Sequence, residues 1–128
     1  MKLLLDTCTF LWITLDAPEL SADARRLFAD PANDVFLSAV SAWEISVKYS
    51  LGKLPLHQTP ELFIPQSRTA HGVASLPLSE AAVVRLSAIP EFHKDPFDRM
   101  LVCQAIAEGL TLLTPDPAIR AYPVGTIW

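Results

Sequence analysis

Lys2-Leu3-Leu4-Leu5-Asp6 sets three leucines between a lysine and an aspartate at the start of the chain. The run is short, apolar and ends in an acid, the pattern of a strand buried on both faces of a sheet. Working outward, three more runs share that character: Val35-Phe36-Leu37-Ser38, Val73–Leu76 and Leu110-Thr111-Leu112-Leu113-Thr114. Helical signals stand between them. Residues 8–15 fit strand or helix by pattern, and helix is preferred because a strand has just ended at Asp6-Thr7. Ser21 caps a second helix through Phe28, and Ser41-Ala42-Trp43-Glu44 opens a third. Thr59-Pro60 starts a fourth that Pro65 interrupts or kinks and Gly72 closes. Ser79-Glu80 starts a fifth with Ala82, Val83, Leu86 and Ile89 at helical spacing. Asp95-Pro96 starts a long helix closed by Gly109, and Asp116-Pro117 a short one. Val124 to Trp128 reads as an edge strand. The order β-α-α-β-α-α-β-α-α-β-α-β predicts an α/β fold, a mainly parallel twisted sheet of four to five strands with helices on both faces.

Composition narrows the class. A chain of 128 residues is a single domain, 1–128, large enough to bury a core without disulfides. The apolar fraction of 51% is at the upper edge of ordinary usage, which suggests an interface with a second copy or another protein. The net charge of −4 excludes a protein that coats nucleic acid through a basic surface. Cys8 and Cys103 form neither a metal spacing nor a redox motif and read as free thiols in a reducing compartment. Asp6 cuts the first apolar run too early for a secretory signal, and no segment is long enough to span a membrane. The expected location is the cytoplasm.

Four acidic stations stand where strands give way to helices: Asp6, Glu44, the pair Asp95 and Asp98, and Asp116. Open parallel sheets gather those junctions along one edge. Taken singly, each acid is more often a helix cap than a catalyst. Ser41-x-x-Glu44 fits a capping box, and Asp95-Pro96 and Asp116-Pro117 fit caps followed by a first-turn proline. Jointly they mean more. Two carboxylates about 5 Å apart repel by about 3 kcal/mol at an effective dielectric near 20, so a cluster needs a metal, a cation or raised pKa values. All-oxygen donors suit Mg²⁺ or Mn²⁺ rather than zinc. His93 adjoins the third station, as a loop histidine or as a substrate contact. Arg99 either binds a phosphate or braces Asp95 or Asp98. Cys8 has no histidine partner and reads as packing.

Several stretches resemble a known family in the right order over residues 2–116. Leu3-Leu4-Leu5-Asp6-Thr7 with Phe10-Leu11-Trp12 resembles the opening of PIN-domain proteins. Ser41-Ala42-Trp43-Glu44-Ile45-Ser46-Val47-Lys48 and Leu51-Gly52-Lys53-Leu54 resemble the second motif of VapC-like toxins. His93-Lys94-Asp95-Pro96-Phe97-Asp98-Arg99-Met100-Leu101 resembles the third, and Leu112-Leu113-Thr114-Pro115-Asp116 the fourth. Where histidine commonly follows Asp-Thr in this branch, the chain has Cys8. The resemblance implies a PIN fold and a Mg²⁺- or Mn²⁺-dependent endoribonuclease, the toxin of a type II toxin–antitoxin pair. It carries Asp6, Glu44, Asp98 and Asp116 over as catalytic acids, with Asp6, Asp98 and Asp116 holding metal. Thr7, Asp95, Thr114 and Arg99 would support them. The implied partners are an RNA substrate, a cognate antitoxin and a second copy of the chain. A catalytically idle PIN domain is the alternative. A phosphatase of the haloacid-dehalogenase type fails because Cys8 stands where Asp-x-Asp needs its second acid.

Overall fold

The computed structural model describes all residues, 1–128. Its elements are β1 (Lys2–Leu5), α1 (Thr7–Leu15), α2 (Ala22–Ala29), β2 (Asp34–Ser38), α3 (Ala39–Ser50), α4 (Pro60–His71) and β3 (Ala74–Leu76). There follow α5 (Glu80–Val83), a 3-10 helix over Val84–Ala88, α6 (Pro96–Glu108), β4 (Thr111–Leu113), α7 (Pro117–Arg120) and β5 (Thr126–Ile127). All strand pairs are parallel, in the order β3-β2-β1-β4-β5. The chain therefore winds from β1 outward through β2 and β3, crosses over, and continues on the other side of β1 with β4. The crevice outside the carboxyl ends of β1 and β4 is the switch point of such a sheet.

The central strand shows why the sheet is covered twice. Leu3, Leu4 and Leu5 are all fully buried, yet successive side chains point to opposite faces. Leu3 and Leu5 join Val35, Leu37 and Leu113 in one core, packed by Phe10 and Ile13 of α1, Ala24 of α2, Ile45 of α3 and Phe63 of α4. Leu4 joins Leu112 in the other, packed by Leu101, Val102 and Ala105 of α6 and Ile119 beyond. A strand read as apolar throughout is thus one that faces two helical layers. No helix is long and apolar enough to cross a membrane.

Local chemistry places most boundaries where the sequence put them. Ser21 caps α2 by accepting from the Ala24 amide at 2.9 Å. Gly72 and Gly109 end α4 and α6 in the left-handed region, at φ of 67° and 66°. Two expectations are corrected, and of the two readings of Pro65 the interruption is ruled out. The third helix starts at Ala39, because the Ser38 hydroxyl, not Ser41, caps it at the Val40 amide. Pro65 lies inside α4 without ending it. The segment after Ser79 holds only one α-turn before it tightens into a 3-10 helix, and Ile89, preceding Pro90, is extended.

Candidate active site

Each station reaches the carboxyl edge of the sheet by a different element. Asp6 leaves β1 directly and caps α1: its Oδ1 accepts from the Thr9 amide at 2.8 Å. Its Oδ2 accepts from the Thr114 hydroxyl at 2.6 Å, across 108 residues and from the end of β4. That hydroxyl in turn accepts from the Asp116 amide at 3.1 Å, so one side chain ties the first station to the fourth. Asp116 caps α7 and Asp95 caps α6, each by Oδ1. Asp98 stands in the first turn of α6 behind Asp95. Glu44 lies mid-helix in α3, one turn inside the sheet edge.

Burial makes these charges costly. Asp6 and Glu44 are each 4% exposed. Glu44 is matched: Thr7 donates to Oε1 at 2.6 Å and Lys48 holds Oε2 at 2.5 Å. The Thr7 oxygen also lies 3.0 Å from the buried Ser41 hydroxyl, which makes Ser41 part of the site's frame rather than a cap. Asp6 and Asp98 have no such cation. Burial raises the Asp6 pKa above its ordinary value, against the hydrogen bonds from Thr114 and Thr9, and the Asp116 charge raises it further. Asp98 is pushed up to about 6 by burial first and then by the charge of Asp95, with Glu44 and Asp116 adding to it. These repulsions put the four stations within electrostatic reach of one another. Cys8 is exposed rather than packed, yet partial desolvation, then the charges of Asp6 and Glu44, push its thiol up to about 11, which disfavours the thiolate at neutral pH.

The sequence profile of the PIN domain matches residues 3–125 of this chain. The chain belongs to the PIN-domain family. Ribonuclease VapC16 from Mycobacterium tuberculosis (strain ATCC 25618 / H37Rv) is 38% identical over 68 residues, 50% of this chain and 48% of that protein. The chain thus matches about half the length of that curated relative. The structure of VapBC2 from Rickettsia felis bound to a DNA fragment from their promoter aligns over 99% of this chain and 98% of that one, with TM-score 0.74 and 16% identity. FitAcB from Neisseria gonorrhoeae aligns over 98% and 96%, with TM-score 0.69 and 21% identity. At such identities the likeness is one of fold, and it extends over the whole PIN domain.

Within the PIN fold, the donor set suits a hard cation in kind: carboxylates, hydroxyls and no facing cation at Asp6 or Asp98. As the side chains stand, no three His, Cys, Asp or Glu groups converge closely enough to hold a metal ion. Asp98 is turned onto His93, 3.3 Å from Nε2, and Asp6 onto its two hydrogen bonds. Arg99 does not brace the acids. It makes no ion pair with Asp95 or Asp98, and lines an open pocket with Val83, Val84, Ile89 and Glu91 instead. A residue one position past Asp98 on a helix points about 100° away from it, and Asp95, one turn back, accepts from the Phe97 and Asp98 amides instead. Lys48 and Tyr122 shape the site without having been singled out as its members, and His93, read as a loop histidine or a substrate contact, touches Asp98. Lys48 had a signal, since Glu followed by Lys four residues on is the favoured helical ion-pair order. Tyr122 had none.

Proposed function

We propose that the protein is a metal-dependent endoribonuclease and the toxin of a toxin–antitoxin pair. The observation that carries this reading is the mutual repulsion of acids set along one edge of the sheet, Asp6 against Asp116 and Asp98 against Asp95, Glu44 and Asp116, with Asp6 buried, Asp98 half-buried and neither held by a lysine or arginine. Asp6, Asp98 and Asp116 are the side chains that would hold Mg²⁺ or Mn²⁺. A bound divalent ion supplies a water of lowered pKa and a Lewis acid for the phosphoryl oxygens. The chain's own contribution is orientation. Thr7 and Lys48 hold Glu44 with both oxygens fixed, so that it orients the attacking water. Thr114 sets Asp6, and Asp95 fixes the first turn of α6 on which Asp98 stands. Hydrolysis would leave a 5′-phosphate and a 3′-hydroxyl.

Single-stranded RNA fits the rim of the pocket better than a duplex does. Trp43, next to Glu44, is 59% exposed and packs edge-on against Phe97, next to Asp98, at 4.9 Å between ring centroids. An exposed indole beside the acids offers a face on which an unpaired base can stack. The major groove of an A-form duplex is too deep and narrow to read, which favours loops. The solved neighbours include a VapBC pair and a toxin–antitoxin complex from Klebsiella pneumoniae, which supports an antitoxin partner. The 51% apolar content supports association with a second copy. The expected setting is the cytoplasm.

The deciding assay is cleavage of a structured RNA by purified protein in Mg²⁺ or Mn²⁺, beside Asp6→Asn and Asp98→Asn. Activity that survives EDTA, or is equal in both variants and the parent, sinks the reading. The idle alternative has one observation in its favour, the incomplete convergence of the acids. RNA retention without cleavage under any divalent ion would establish that alternative.

A further inference from the structure

The hydroxyl of Tyr122 is buried at the end of the turn that α7 opens, far in sequence from Asp98, yet it is joined to Asp98 through one side chain. The phenol is packed edge-on by Phe92 at 5.1 Å and by the His93 ring at 5.4 Å between centroids. Its oxygen accepts the backbone N–H of His93 at 3.3 Å and lies 2.8 Å from Nδ1 of the same residue. On the other side of the ring, Nε2 lies 3.3 Å from Oδ2 of Asp98. Ring packing alone accounts for the burial of Tyr122. It does not account for both imidazole nitrogens being aligned on partners at once.

Proton counting assigns the tautomer. The phenol oxygen accepts the His93 amide and keeps one proton to donate, and Nδ1 at 2.8 Å is the acceptor that faces it. A neutral imidazole that accepts at Nδ1 carries its own proton on Nε2, the atom facing Asp98. In the opposite tautomer two lone pairs would oppose each other between Nε2 and Oδ2. We propose that Tyr122 and His93 are positioning residues: Tyr122 fixes the His93 tautomer, and the Nε2–H then holds Oδ2 of Asp98 and leaves Oδ1 for a cation. The inference rests on the ribonuclease reading of the site. Asp116 caps α7, and Tyr122 follows that helix by two residues, so the contact also couples the fourth acidic station to the third. Ligand carboxylates and imidazoles in metal sites are commonly oriented through such outer hydrogen bonds.

The test begins in the metal-free protein. Histidine side-chain ¹⁵N shifts are expected to show His93 bare at Nδ1 and protonated at Nε2, and Tyr122→Phe to give mixed tautomers. Mn²⁺ binding followed by electron paramagnetic resonance is expected to weaken about tenfold in Tyr122→Phe and at least as much in His93→Ala. The double variant should bind no worse than His93→Ala, because Tyr122 acts through His93. His93→Gln, which keeps an N–H toward Asp98, should recover part of the affinity. With RNA, kcat should fall while KM holds. A Tyr122→Phe protein with unchanged ¹⁵N shifts and Mn²⁺ affinity, whatever its thermal stability, overturns the proposal and leaves the ribonuclease reading intact. Mn²⁺ affinity unchanged by Asp98→Asn would instead defeat the ribonuclease reading, while the tautomer remains separately measured.

Discussion

Glu44 and Asp98 are both acids withdrawn from water, and they meet the cost in opposite ways. Glu44 keeps its charge by holding Lys48 at 2.5 Å and Thr7 at 2.6 Å. Lys48→Met should therefore strand a buried carboxylate. The expected loss is about 1–2 kcal/mol in urea unfolding, below that of a fully buried pair because the lysine side chain is 47% exposed. Adding Glu44→Gln should restore most of it, and a double variant as unstable as Lys48→Met would refute the pairing. Asp98 faces other acids, and its carboxyl is pushed up to about 6 from 3.8. An acid with a raised pKa binds its proton more tightly when folded. Its contribution is fully present below the unfolded value and is lost as pH rises through about 6. Asp98→Asn should then gain on the metal-free parent between pH 4 and pH 8, by at most about 3 kcal/mol. Parallel stability profiles for the two proteins would refute it.

At the scale of elements, α3 and α6 deliver the site, and both depend on how they start. Ser38 closes β2 and caps α3 in one residue, while its hydroxyl also donates to the buried Gln104 of α6. Ser38→Ala loses the cap and leaves a buried amide oxygen short of a partner. A loss of about 2 kcal/mol is expected by thermal or chemical unfolding. Ser41→Ala should cost less, since Ser41 caps nothing. The same two helices present Trp43 over Phe97. Trp43→Ala should weaken binding of single-stranded RNA by roughly tenfold or more, as expected for losing one stacked base. Fluorescence anisotropy at pH 7 in Ca²⁺, with cleavage suppressed by Asp98→Asn, would read it. Unchanged affinity would remove Trp43 from the RNA path.

At the scale of the whole molecule, strand order brings the acids together: β1 lies between β2 and β4, so junctions separated by over 100 residues share one edge. A divalent ion that relieves their repulsion should stabilise the fold by mass action. Saturating Mg²⁺ or Mn²⁺ at pH 8 is expected to raise Tm by several degrees, with the rise lost in Asp6→Asn, Asp98→Asn and Asp116→Asn and kept in the surface variant Asp16→Asn. An equal rise in all four would show that the ion acts elsewhere. The strands and most helix limits were legible in the chain because their causes are local. Apolar runs such as Leu3-Leu4-Leu5 mark buried strands, and Asp95, Asp116 and Ser21 satisfy amides two or three residues on. Ser38 and Ser41 show where that legibility stops. Both are good caps by type, and only the pairing of β2 in the sheet decides which one stands at the helix start. Hydrogen bonds across long separations lie further out of reach. Thr114 on Asp6, Thr7 on Glu44 and Tyr122 on His93 span 108, 37 and 29 residues. The sequence by itself determined the order of strands and helices and most of the residues that bound them, since those are properties of neighbours along the chain. Which acids are left to repel their neighbours, and which pocket Arg99 lines, were decided only by the tertiary structure, because charge and burial act through space.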